Sequence, residues 1–504
     1  MPKKYILVLF IFVLPNSFIQ QIPLFAQQGV GFSGDMIALS DQASDSTLEY
    51  LKWRVTLLHS VGFNGGNTRG TTAKYSINLI GGIHGGLDGR EIGLLYNIEE
   101  YYVRGFQLSG GANISGGEML GMNVAGLTNI SQSTMAGLQV SGLSNLSNNS
   151  MSGLQLSGLV NVSMKEMTGF HMAGVANISN EDLSGMQMSF GLNISNSDLE
   201  GLNLAGLLNL ANDDIEGLSM AGLSNISTQD QSGLIFSSFG NISGSSLEGL
   251  VLTGGLNLSK DVQSGLIFSG LGNISQEIEG LSISGAMSLS RDLNGLAISP
   301  LNIQETMSGL HIGVFNFARE INGASLGLIS WYGNGRKNID LRYSDGGFID
   351  LGFTTGTHRL YNQLSVGYNP TLVNHVKLGA AAGFVMDARD QFKRMSTDDL
   401  SITHELAYYE YIGEDFDERN EKQLSYRFLL SKLLNEQVSL YFGPSVNLMY
   451  SLDQESDELL WYSPISITIK DKELNAWLGF NLGIRLFKQK MLPPLEDKPF
   501  ITLD

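Results

Sequence analysis

The chain has no cysteine, which excludes disulfides, thiolate metal ligands and cysteine nucleophiles, and also the acylated cysteine of a lipoprotein. Charge is sparse. Asp, Glu, Lys and Arg make up 16% of the 504 residues, and acids outnumber bases 49 to 30, for a net charge of −19. Such a chain lacks the basic footprint that nucleic acid requires. It lacks equally the basic patch that docks to anionic headgroups. After the N-terminal segment there is no run of 18 apolar residues, so any membrane span has to be a β-barrel. At the N-terminus, Lys3 and Lys4, an apolar stretch over 6–14 and Ala26 before Gln27 predict an export signal over 1–26.

What the chain has in abundance is glycine, 61 residues against 10 prolines. Glycine recurs every 16 residues from Gly89 to Gly265, and the spacing then tightens to 15 and 14 through Gly280, Gly295, Gly309 and Gly323. An asparagine follows eight positions after each of eleven of these glycines: Asn113, Asn129, Asn145, Asn161, Asn177, Asn193, Asn209, Asn225, Asn241, Asn257 and Asn273. An unbroken short period marks a repeat architecture.

With the glycine as position 0, positions 1, 3 and 9 are apolar in nearly every unit, as in Leu154, Leu156 and Val162, and position 14 is mostly Met, Leu or Ile. The spacing between 1 and 3 is that of a strand. Glycines at 0 and near 5 argue against helix, at about 1 kcal/mol each. One unit cannot bury its own apolar face, but stacked units can. The predicted fold is all-β: a β-solenoid of about sixteen 14–16-residue coils followed by an antiparallel β-rich C-terminal domain. Each coil has strands over 1–4 and 7–10 and a polar turn over 11–13. Coils about 4.8 Å apart would make a rod of roughly 75 Å, with the asparagines as a hydrogen-bonded ladder. The competing reading makes each unit one strand of a large barrel. It requires odd and even turns to differ, and Asn148-Asn-Ser, Asn180-Glu-Asp and Asn196-Ser-Asp do not.

The compact unit Gly309-Leu-His-Ile-Gly-Val-Phe-Asn-Phe-Ala resembles the Gly-Leu-x-x-Gly-Leu-x-Asn-x-Ala units of the bacterial surface repeat-containing protein family. The resemblance covers about 89–328. It implies export and a surface or outer-membrane setting in Gram-negative bacteria, and it carries over no functional residue.

From Ser330 the register gives way to aromatic, alternating segments such as Phe348-Ile-Asp-Leu-Gly-Phe353 and Ala476-Trp-Leu-Gly-Phe-Asn-Leu-Gly-Ile-Arg-Leu-Phe487. Tight turns alternate with long acidic linkers, which predicts a small outer-membrane barrel or a soluble sheet capping the coils. The expected organisation is signal 1–26, N-terminal cap 27–72, solenoid 73–329, antiparallel β domain 330–487 and polar tail 488–504.

No catalytic constellation stands out, and the chain reads as a non-enzyme without cofactor or metal site. His404-Glu405 lacks the second histidine of a zinc-protease helix, position 408 being Tyr. Asp415, Asp417 and Glu418 form an acidic loop without the rest of a calcium-loop pattern. The many Asn-Ile-Ser triplets follow from the ladder column and not from glycosylation. Position 2 carries Gln139, Gln155, His171, Gln187, Ile235, Val251 and Ile267, and the alternation predicts that it faces outward as a docking strip. The expected partners are a glycan or a surface protein, with the outer membrane nearby and no nucleic acid. The expected function is a structural or interaction role at the cell surface or outer membrane, or in the periplasm. The alternatives are an outer-membrane barrel with a channel or transport role and, more weakly, a glycan-active β-helix enzyme.

Overall fold

Every strand of the repeat pairs in parallel with the same strand one unit on. Met151–Ser157 lies beside Met167–Ala173 with Gly153 opposite Gly169, and Val160–Ser163 lies beside Ala176–Ser179 with Asn161 opposite Asn177. The structure, a computed structural model, describes residues 48–59, 61–63, 68–371, 376–387, 399–412, 421–451, 464–469 and 472–487. The described residues are strands, turns and one 3₁₀ turn, Thr68–Gly70, with no α-helix. The fold is a β-solenoid of about sixteen coils and an eight-stranded antiparallel barrel. The expected signal at 1–26, the tail at 488–504 and the acidic loop residues Asp415, Asp417 and Glu418 lie outside the described residues.

The chain divides into two compact units, 1–276 and 277–504, so the division falls within the repeat series and not at its end. In the first unit, Glu49–His59 pairs in parallel with Thr71–Gly93, so part of the segment expected as a cap belongs to the coil stack. Each later coil has a seven-residue strand over positions 14 to 4, a bend at 5–6, a four-residue strand over 7–10 and a polar turn.

Along each coil the even positions face inward, since side chains alternate across a strand. The parity holds for positions 14, 2, 4, 8 and 10; position 0 itself is mostly exposed, and here glycine is required. Gly153 has φ +96°, and a Cβ there would lie 2.4 Å from the carbonyl oxygen of Gly137 in the neighbouring coil.

The inward parity overturns the expected core. The apolar residues at positions 1, 3 and 9 point out of the coil, and Met122, Leu154, Met172, Met220, Leu234 and Leu266 are exposed. The interior is built from Asn at 8, Gln, Asn or His at 2, small residues at 4, Ser at 10 and a single apolar column at 14 (Met119, Met135, Met151, Met167, Leu183, Leu199, Ile215). The ladder residues supply the cohesion. Asn113 Nδ2 donates to Asn129 Oδ1 at 3.0 Å and to the carbonyl of Val124 at 2.9 Å. The same pair of bonds repeats coil by coil, with side-chain links of 2.9–3.0 Å through Asn273. A buried amide is tolerated because its donors and acceptor are paired.

In the second unit, coils over 277–332 precede an antiparallel barrel. Its strands are Arg336–Ser344, Ile349–Gly356, Leu360–Tyr368, Val376–Asp387, Leu400–Ile412, Glu421–Asn435, Val438–Ser451 and Lys472–Leu486. Each pairs with the next, and Lys472–Leu486 pairs back to Arg336–Ser344, with Leu341 opposite Ile484, which closes the ring. A short strand, Ile465–Ile469, adds to the start of the last one. The polar interior of the coils runs on into the barrel: Asn302 donates to Asn316, Asn316 to Ser330 Oγ, and Asn362 of the barrel to the same Ser330 Oγ at 2.8 Å. Outside, Trp331 lies against Phe353 with ring centroids 6.3 Å apart.

Candidate functional site

The strip expected to face outward is inside. Gln139, Gln155, His171, Gln187, Ile235, Val251 and Ile267 are all 0% exposed, so none of them can meet a partner. Position 2 shares its parity with the Asn ladder, and the ladder fixes which parity is interior. Gln155 and Gln187 donate to the carbonyls of Ser152 and Ser184 at 2.8 and 2.7 Å. His171 takes a glutamine's place in the column, and burial pushes its imidazole down to about 4, so it is neutral there at pH 7. The apolar turn at Ile235, Val251 and Ile267 is an internal packing cluster that includes Leu247.

The charged cluster that sequence reasoning missed lies in the first coils. Arg54 from Glu49–His59 places Nη2 2.7 Å from Glu99 and 3.3 Å from Glu91, and its Nε donates to Ser76. His84 Nδ1 lies 3.2 Å from Glu99 and 3.3 Å from Glu91, while its Nε2 meets Thr56 Oγ1 at 2.9 Å. Asn78 and Gln107 donate to Glu91. All four charged or titratable members are buried. Burial pushes Glu99 up to about 7 against the pull of Arg54. Burial also raises Glu91, but the hydrogen bond from His84 and the Arg54 charge outweigh it and hold its carboxyl far below the usual range. Burial lowers His84, and the two carboxylates overcome this and raise it. Donor atoms of His84, Glu91 and Glu99 lie within 4.8 Å of one another, a spacing that suits a divalent ion. Arg54 already supplies a positive charge at Glu91 Oε1 and Glu99 Oε1, while Glu99 Oε2 is buried without a hydrogen-bond partner.

A second buried network fills the barrel. Glu405 accepts from Arg427 at 2.6 Å and from Tyr361 at 2.6 Å, and it pairs with Arg342 at 3.0 Å. Arg485 pairs with Asp340 at 2.7 Å, and Lys377 with Asp350 at 3.0 Å. His404, one residue from Glu405, points to the opposite face and bonds Tyr426 there, so the pair does not act together.

The outer surface of the coils has two characters. In nine of the eleven coils between 105 and 274 the bend carries one exposed apolar side chain: Leu127, Leu143, Leu159, Val175, Phe190, Leu207, Leu223, Phe239 and Leu271. The opposite turn carries an acidic staircase. Asp182, Asp198, Asp214 and Asp230 each accept a backbone N–H from the next coil, at 2.8–3.4 Å. Between 172 and 254 the apolar side holds a groove of about 760 Å³, walled by Met172, Met188, Leu204, Met220, Phe236 and Leu252, with no charged residue in its lining.

No protein-family model, curated protein or solved structure matches this chain.

Proposed function

We propose that the chain is a non-enzymatic, outer-membrane-anchored surface protein whose barrel is the anchor and whose coils form the exposed structural or interaction module. The observation that carries this is the inversion of the barrel. Its inward side chains are Asp340, Arg342, Lys377, Glu405, Arg427 and Arg485, all buried, while Leu341, Leu351, Val366, Leu378, Leu406, Leu424, Phe442, Val446, Leu478 and Leu482 are exposed on the outside. A soluble barrel has the opposite polarity, whereas outward apolar and inward polar alternation is the pattern of a lipid-facing barrel. An eight-stranded ring is only wide enough to be filled by its own side chains. The Glu405 network fills this one, which favours an anchor over a pore. The export signal expected at 1–26 and the surface-repeat resemblance agree with the same setting.

The test is electrophoretic mobility of the full chain extracted in detergent, run unheated and boiled, together with fractionation of cells. A faster unheated band in the outer-membrane fraction is expected. A soluble fraction with one heat-independent band overturns the reading.

A further inference from the structure

The outward apolar columns of the first unit are not explained by an anchor. Over eleven coils between 105 and 274, positions 1 and 3 on one strand stack and position 9 on the other are hydrophobic, unburied and free of charge, and the bend row that joins the stacks is apolar in nine of the eleven, in a chain of net charge −19. Monomeric proteins rarely expose apolar patches beyond a few hundred Å². The apolar columns of both stacks repeat in every coil, and on the bend edge between them Phe190 and Phe239 are 84% and 67% exposed.

Three properties narrow the occupant. The face offers few hydrogen-bonding groups, because its strand backbones are paired from coil to coil, whereas a protein partner usually makes about one hydrogen bond per 100–200 Å². The groove walls are Met, Leu and Phe over a floor of Gly, Ala and Ser, open enough for a slender chain along the coil axis. The groove crosses six coils, about 24 Å at about 4.8 Å per step, which exceeds the roughly 15 Å that one leaflet's acyl layer spans. Charge then selects the headgroup. The acids Glu181, Asp182, Asp198, Glu200, Asp213, Asp214, Glu216 and Asp230 are gathered at or beside the turn edge, away from the bend, and would repel anionic lipid.

We infer that the apolar face of coils 105–274 seats on hydrocarbon, taking acyl chains of zwitterionic lipid along the groove at 172–254 while the acidic edge stays in water. The coil module then lies along a lipid surface. The inference uses only features of the first unit and does not depend on the barrel being the anchor.

The absence of cysteine permits a clean test. Single cysteines at Leu143 and Leu223 on the bend row, Asn148 and Asp214 on the acidic edge, and Leu482 on the barrel exterior are each given an environment-sensitive fluorophore. The full chain is reconstituted in phosphatidylethanolamine–phosphatidylcholine vesicles containing acyl-chain spin-labelled lipid. Labels on the row are expected to be quenched at least threefold more than labels on the edge, and less so when phosphatidylglycerol replaces the zwitterionic lipid. Equal quenching of row and edge overturns the inference. Row labels shielded only as protein concentration rises overturn it in favour of a second copy. The Leu482 label reports the barrel separately, so quenching there without quenching of the row leaves the anchor standing and removes the lipid-seated coil. Quenching of the row alone does the reverse. Circular dichroism of each variant confirms that the fold is retained.

Discussion

Gln231 and Ile235 flank Gly233 with polar and apolar side chains exchanged relative to Met167 and His171, which flank Gly169 in the same two interior columns. The same exchange recurs at Gln263 and Ile267. Coils with one polar and one apolar residue across the glycine thus occur in either order, while at Leu247 and Val251 both are apolar. Gln231 compensates by donating to the carbonyls of Asn225 and Ile242. Ile235→Gln alone should lower stability by about 1–3 kcal/mol through an unpaired buried amide. Gln231→Met alone should also destabilise. The double variant should cost less than the sum of the two, with a coupling of at least ~0.5 kcal/mol in a denaturant double-mutant cycle on the full chain. Simple additivity would contradict the exchange.

The inverted coil predicts an unusual ranking of substitutions. Leu154→Ser, on the outside, should change stability by no more than about 0.5 kcal/mol. Gln155→Leu removes a bond to the Ser152 carbonyl and should cost more, on the order of 1–3 kcal/mol. Gly153→Ala, strained at φ +96° and 2.4 Å from a carbonyl oxygen, should cost the most. Melting temperatures of the three variants check the order, which reverses if Leu154 belongs to a core.

Asn177→Ala removes the acceptor of Asn161 and the donor to Met188 and Asn193 together. The expected loss is about 2–4 kcal/mol, since more than one buried group is left unpaired. Hydrogen exchange should speed up in the coils on both sides of 177 and hardly change several coils away, because each coil touches only its neighbours.

The Arg54 network makes the first coils pH-dependent. Glu99 is raised to about 7 in the fold, so its contribution is full below its ordinary 4.5 and is lost as pH rises from there to about 7. His84 is also raised, so its contribution is full below 6.5 and is lost as pH climbs through its folded value. Glu91 is lowered, so its contribution is present above 4.5 and is lost as pH falls. The three together place greatest stability near pH 4.5, with loosening as pH rises to about 7 and on through the folded value of His84. Amide exchange across 49–109 should be faster at pH 8.5 than at pH 5 beyond its intrinsic base catalysis, and Glu99→Gln should reduce that difference. Flat protection in the unaltered chain would refute the assignment.

In the barrel, Glu405→Gln leaves Arg342 and Arg427 facing each other without their shared carboxylate. Breaking a buried ion network from one side costs about 3–5 kcal/mol. The temperature at which the unheated band converts to the boiled form should fall by several degrees, whereas Leu482→Ala on the outside should leave it nearly unchanged.

The period, the strand boundaries and the Asn column were legible because backbone pairing between identical units requires identical residues at the glycine bend and in the ladder. The choice of interior face was not legible from the rule that apolar residues lie inside, since the coil turns its apolar columns out. Parity did contain the answer. Asn at position 8 and Ile at position 9 cannot both face in, and once Asn161 is interior, Gln155, Ser157, Ser163 and Met151 follow on the same side. The same columns would have exposed the missed network. Glu91 stands where later coils have Gln107 and Asn123, and Glu99 where they have Ser115 and Ser131. A charge in an interior column calls for a partner, and Arg54 is supplied by Glu49–His59, a strand in the segment expected as a cap.

The Asn ladder has a consequence for the history of the gene. Each rung bonds only to the rung on either side, and every coil presents the same columns to its neighbour. Removal of residues 185–200 would therefore bring Asn177 to Asn209 with an unaltered bond and shorten the stack by about 4.8 Å. The number of coils is thus a freely adjustable gauge: slippage or unequal recombination in whole 16-residue steps resets the span of the molecule without redesigning its interior.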